Sequence, residues 1–91
     1  MNEVIKSLGL KNYGVYDGDT LVIPIPDDKK YAEVCQKLYS SDDFDLDDET
    51  FKISAEEQIA SYVYKDEQYL VTIKANYIEN KYALSIKPME E

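Results

Sequence analysis

Six carboxylates stand within eight residues, in the run Asp42-Asp43-Phe44-Asp45-Leu46-Asp47-Asp48-Glu49. No lysine interrupts them. Such a run can do three kinds of chemistry. It can hold a hard cation, share protons in acid–base catalysis, or present a fixed negative surface to a basic partner. Asp43-x-Asp45-x-Asp47 imitates the opening of an EF-hand loop, which also needs a glycine at its sixth position and a glutamate at its twelfth. Counted from Asp43, those places hold Asp48 and Ser54; counted from Asp45, they hold Thr50 and Glu56. Neither register supplies the glycine. The sequence therefore predicts diffuse cation condensation on the run and no dedicated metal site.

Acid–base work fares no better. A glycosidase needs two carboxyl groups facing across a cleft, and consecutive acids on one segment do not give that geometry. Histidine is absent, which removes the usual general base near neutral pH and any Ser-His or Cys-His pair. Arginine is absent too, and the three glycines are scattered, so no phosphate-cradling loop exists. One cysteine, Cys35, makes neither an internal disulfide nor a zinc site. The expectation is a protein that is not an enzyme and carries no cofactor.

The third chemistry remains. In an extended segment, residues two apart lie on one side at roughly 6.6 Å intervals. Asp43, Asp45, Asp47 and Glu49 would then form a row of negative charges resembling successive nucleic-acid phosphates. Phe44 and Leu46 would point the other way and anchor the row. Asp42, Asp48 and the aromatic Tyr39 complete the expected partner-binding set. A helical run would scatter the acids and weaken the row.

The whole-chain charge sharpens this reading. The 91 residues carry 19 Asp and Glu against 10 Lys, a net charge of −9. Residues 42–50 alone carry −6, while residues 1–41 carry −1 and residues 51–91 carry −2. Neighbouring acids lie within one Debye length, about 8 Å at physiological salt, and repel one another. The imbalance opposes direct binding to nucleic acid. No apolar run exceeds the five residues 21–25, far short of the roughly 20 that span a bilayer. The first residues show no basic n-region and no long apolar stretch, so no secretory leader is predicted. With a single cysteine, a cytoplasmic setting is expected.

In size, acidity and lack of catalytic groups the chain looks like phage or mobile-element inhibitors of host nucleases, anti-CRISPR and anti-restriction proteins among them. The likeness is one of composition over the whole chain. It implies a partner that is a nuclease or another nucleic-acid-binding protein. Immunity proteins that neutralise nuclease toxins share the same physics. The alternatives are a structural or regulatory interaction module whose acidic run is a solvated loop, and a weak calcium-binding domain.

The elements that must position the run are legible from periodicity. Asn2 can cap a short helix with Val4, Ile5 and Leu8 on one face and Gly9 just past its end. Residues 12–16 read as a strand, Asp17-Gly18 as a hairpin turn, and Thr20–Ile25 as its partner strand. Pro24 lacks an N–H and argues that this second strand is short or at an edge. Asp27 caps a second helix bearing Tyr31, Val34, Cys35 and Leu38 at helical spacing. Residues 40–50 are then an acidic connecting segment. A short strand about Phe51 and Ile53 follows. Ser54-x-x-Glu57 fits a capping box, yet Tyr62-Val63-Tyr64 favours a strand, here expected from Gln58.

Turns at Asp66-Glu67 and Glu79-Asn80 would pair Tyr64 with Tyr69, Tyr62 with Val71 and Ala60 with Ile73. They would also pair Tyr77 with Tyr82, Ala75 with Leu84 and Ile73 with Ile86. Both hairpins put the same residues on one face. The tyrosines Tyr62, Tyr64, Tyr69, Tyr77 and Tyr82 read as cross-strand neighbours, leaving Tyr13, Tyr16 and Tyr39 less committed. The fold class is α+β: one small domain over residues 1–91, with an antiparallel sheet ending in a meander and two helices packed on one side. The opposite face mixes Lys74, Asn76, Ser85 and Lys87 with Val63, Leu70 and Ile78, and should be partly wet.

Overall fold

The computed structural model describes residues 2–11, 13–65 and 69–89. A six-residue helix, α1 (Asn2–Ser7), opens the chain. It is too short to persist alone. Val4, Ile5 and Leu8 are all buried, and that burial holds it in place. Its end is a Schellman motif: the Leu10 N–H donates to the Ile5 carbonyl and the Gly9 N–H to the Lys6 carbonyl. Gly9 takes φ +68, which a side chain would resist.

Strands β1 (Val15–Asp17) and β2 (Thr20–Ile25) form the first hairpin. Asp17 pairs with Thr20, so the two loop residues are Gly18-Asp19 rather than Asp17-Gly18. Gly18 carries the positive φ, +64, at the first loop position, where a type II′ turn needs it. Leu21, Ile23 and Ile25 face the core as expected. β2 is nevertheless an inner strand, between β1 and the last strand. Pro24 is tolerated because β1 covers β2 only as far as Val22.

Helix α2 (Asp28–Ser40) begins at an N-cap in which the Asp27 carboxylate accepts the Lys30 N–H at 2.7 Å. Tyr31, Val34 and Leu38 are buried and Cys35 is half-buried against them. The helix runs through Ser40, and the acidic segment that follows is no connecting loop. After a short turn it becomes the first half of a ten-residue strand, β3 (Phe44–Ile53). The short strand expected near Phe51 is the far end of this same element.

Strands β4 (Glu57–Tyr64), β5 (Tyr69–Asn76) and β6 (Lys81–Pro88) complete an antiparallel sheet in the order β1-β2-β6-β5-β4-β3. Residues 54–64 are thus turn and strand, not helix. The Ser54 hydroxyl does accept the N–H groups of Glu56 and Glu57, but it ties a β-turn rather than a helix start. Tyr64 pairs with Tyr69, Tyr62 with Val71 and Ala60 with Ile73, the expected register; its turn at Asp66-Glu67 lies outside the described residues. The last hairpin is displaced by two. Ala75 pairs with Tyr82, Ile73 with Leu84 and Val71 with Ile86, and Tyr77 belongs to a four-residue loop. The Asn76 side chain accepts the Ile78 and Glu79 N–H groups at 3.1 Å each, and Asn80 supplies φ +54. That local capping favours the longer loop. A shift of two keeps every side chain on its expected face.

One face of the sheet carries the buried residues Leu21, Ile86, Val71 and Tyr62 in one row and Ile23, Leu84, Ile73 and Ala60 in the next. Both helices pack there, so the domain is α+β with its helices on one side. The other face, with Val22, Ser85, Thr72, Ser61 and Val63, has no covering layer among the described residues. Ser61 is buried all the same, and its hydroxyl meets that of Thr72 at 2.8 Å.

Under α2, Tyr31 packs on Tyr82 with ring centroids 5.0 Å apart. Its hydroxyl is buried and makes no well-formed hydrogen bond among the described residues, with Cys35 and Tyr77 as polar neighbours. Burial first, then the neighbouring Cys35 and Tyr77, push the Tyr31 phenol well above the ordinary tyrosine value; burial also raises Tyr62 and Cys35. A raised folded-state value means that the native state holds the proton more tightly. Its contribution to stability is complete below about pH 10 and falls as pH rises beyond that. Tyr31→Phe removes a buried hydroxyl with no well-formed hydrogen bond among the described residues, so urea melts at pH 7 should show it equal to the parent or about 1 kcal/mol more stable. Its stability should also fall less between pH 10 and 11. A loss of more than 1 kcal/mol at pH 7 would mean that the hydroxyl has a partner.

Candidate functional site

The candidate site is the first half of β3 at the sheet's edge, with α2 beside it. Phe44 pairs with Tyr64, Asp45 with Val63, Leu46 with Tyr62 and Asp47 with Ser61. Phe44 is buried, its ring 4.8 Å from that of Tyr64. That contact anchors the segment. Leu46 follows it onto the helix side but stays 39% exposed. Asp45 and Asp47 fall on the uncovered face beside Val63 and Ser61, with Asp43 in the same alternation one step earlier.

The row therefore holds for Asp43, Asp45 and Asp47 and stops there. Between Asp47 and Lys52 the ladder breaks in a bulge. Strict alternation no longer governs Asp48 and Glu49, both exposed. Asp47 builds that bulge: its carboxylate accepts the Glu49 N–H at 3.1 Å and its carbonyl accepts the Thr50 hydroxyl at 3.0 Å. Asp43 also has internal work. It lies 3.7 Å from the Lys65 ammonium, and its carbonyl accepts the Lys65 N–H at 3.0 Å. Lys65 sits 5.3 Å from the Tyr64 ring centroid, and Tyr64 first, then Asp43, raise its pKa. Asp42, Asp45, Asp48 and Glu49 remain, with carboxylates that make no hydrogen bond or ion pair among the described residues. No group of three or more acids or cysteines among those residues converges to hold a metal ion.

Tyr39 lies on α2, 81% exposed, near enough to the Tyr62 hydroxyl to raise its pKa. Tyr62 is opposite Leu46, and both face the helix side of the sheet. Ile53, paired with Gln58 farther along, is 66% exposed, and Phe51 in the bulge is partly exposed. This apolar flank escapes a reading of the acids alone. Its signal in the sequence was the alternation of Leu46 with acids, together with the two apolar residues placed beyond them. Tyr13, Val15 and Tyr16 form a separate exposed group at the opposite edge, on and before β1.

A hollow of about 520 Å³ lies elsewhere, on the uncovered face, lined by Pro24, Lys74, Asn76, Lys81 and Tyr82 among others. Its Glu79 and Lys81 are spent on each other at 3.5 Å, and the Asn76 amide oxygen on the loop. No helix among the described residues is long and apolar enough to cross a membrane. No protein-family model, curated protein or solved structure matches this chain.

Proposed function

We propose that this protein is a small binding inhibitor, without enzymatic activity, that occupies the nucleic-acid channel of a basic partner. The observation that carries the reading is the extended acidic edge: Asp45 and Asp47 on one face of β3, Asp43 just before it in the same alternation, with Asp42, Asp48 and Glu49 exposed beside them. An extended run keeps the charges in line at roughly 6.6 Å steps, as a phosphate backbone does. Four of the six carboxylates are left for a partner. Long-range attraction would steer a lysine- or arginine-lined groove onto this edge. Anti-CRISPR, anti-restriction and nuclease-immunity proteins are the classes this physics fits, and a cytoplasmic setting follows from it.

The test is capture. The immobilised protein is exposed to a bacterial lysate, and each retained protein is challenged with duplex DNA and with salt. A partner that binds nucleic acid, is displaced by DNA and is released steeply between 0.1 and about 0.5 M NaCl is the expected result. Retained proteins that ignore both competitors would overturn the proposal in favour of an interaction module.

A further inference from the structure

We propose that the outer edge of β3 takes up a β-strand from the basic partner, one that alternates lysine or arginine with apolar residues. This inference rests on the inhibitor reading and names how the partner is gripped. Among the described residues, no strand lies beyond β3 in the sheet. Because the Lys65 N–H donates to the Asp43 carbonyl, the hydrogen-bonded pairs with β4 are 43/65, 45/63 and 47/61. The backbone of Leu46 therefore points outward, its N–H and carbonyl open to a further strand. An added strand has two faces, and β3 prepares both. On the uncovered side it meets Asp45 and Asp47. On the helix side it meets Leu46, which is 39% exposed.

Charge selects the occupant. Cross-strand neighbours of opposite sign stabilise a ladder, and like charges directly opposite destabilise it. A second copy of this chain pairing antiparallel about Leu46 would set Asp45 against Asp47 of its mate. The acids thus disfavour self-pairing, the usual hazard of an open edge, and favour a basic strand. The bulge after Asp47 limits the ladder to the stretch around Leu46.

The test uses two synthetic peptides, acetyl-Lys-Val-Lys-Val-Lys-Val-Lys-amide and the same peptide with each valine replaced by proline. They carry the same charge at the same spacing, but the proline peptide cannot sustain a ladder. At 0.15 M NaCl the valine peptide is expected to bind at least ten-fold tighter. It should also slow hydrogen exchange of the Leu46 amide at least ten-fold. Asp45→Lys, at a carboxylate with no partner among the described residues, should weaken it at least three-fold. Equal affinities, or an unmoved Leu46 amide, would overturn strand addition while leaving a purely electrostatic inhibitor standing. Conversely, strand addition with no nucleic-acid-binding protein captured from lysate would support the docking mode and remove the inhibitor reading.

Discussion

The triple substitution Asp45→Asn, Asp48→Asn and Glu49→Gln is expected to weaken binding to the captured basic partner on the order of 100-fold at 0.15 M salt. That corresponds to roughly 1 kcal/mol for each charge removed. The three positions are chosen for what they lack. Their carboxylates accept no hydrogen bond and meet no ammonium group among the described residues. Asp47 and Asp43 are left intact, because one builds the bulge and the other pairs with Lys65. The fold should lose nothing. Three fewer like charges within a Debye length relieve repulsion, so the urea midpoint should hold or rise. Much of the lost affinity should appear in the association rate, and the gap between variant and parent should close at high salt. Partner binding that is unchanged in a folded triple variant would return the acidic run to the status of a solvated surface.

A second large effect separates the two faces of the sheet. Ile73 lies at the centre of the buried face, between Ala60 and Leu84, and is almost wholly enclosed. Ile73→Ala should cost about 3–4 kcal/mol, the usual sum of lost transfer energy and a residual cavity. A domain of this length has on the order of 5–14 kcal/mol in all, so the variant should melt far earlier in urea. Ile59, one residue from Ala60 on β4, faces the uncovered side and is only half-buried. Ile59→Ala should cost about 1 kcal/mol or less. Equal losses at the two positions would show that a further layer covers the outer face.

Much of this architecture was legible because its signals are local and periodic. Asp27, Tyr31, Val34 and Leu38 announced α2 by one cap and one stripe. The β4–β5 register followed from alternation alone, since one-residue slips would expose the buried set. The misreadings came where local chemistry competes. At the last hairpin, Asn76 caps its own loop and lengthens it by two residues, and alternation cannot see an even shift. At the first, Asp17-Gly18 and Gly18-Asp19 both suit a turn, and only the pairing with β2 decides which two residues form it. The acidic segment was hardest. Aspartate is a poor strand former, and nothing in 42–50 by itself outweighs that preference. Phe44 on Tyr64 supplies the missing energy, a contact twenty residues apart in sequence. The row of acids was foreseeable once extension was assumed; its end at Asp47 was not, because a bulge depends on how two strands fit.

That no layer covers the outer face among the described residues has a practical and an evolutionary side. Side chains such as Lys74 and Lys87 are exposed and project where no helix among the described residues is packed upon them. Substitutions there should drift freely while the enclosed half of each strand stays constrained. For the same reason, once Cys35 is replaced by alanine, a cysteine placed at residue 87 would accept a fluorophore without disturbing the interior, giving a reporter for events at the far strand.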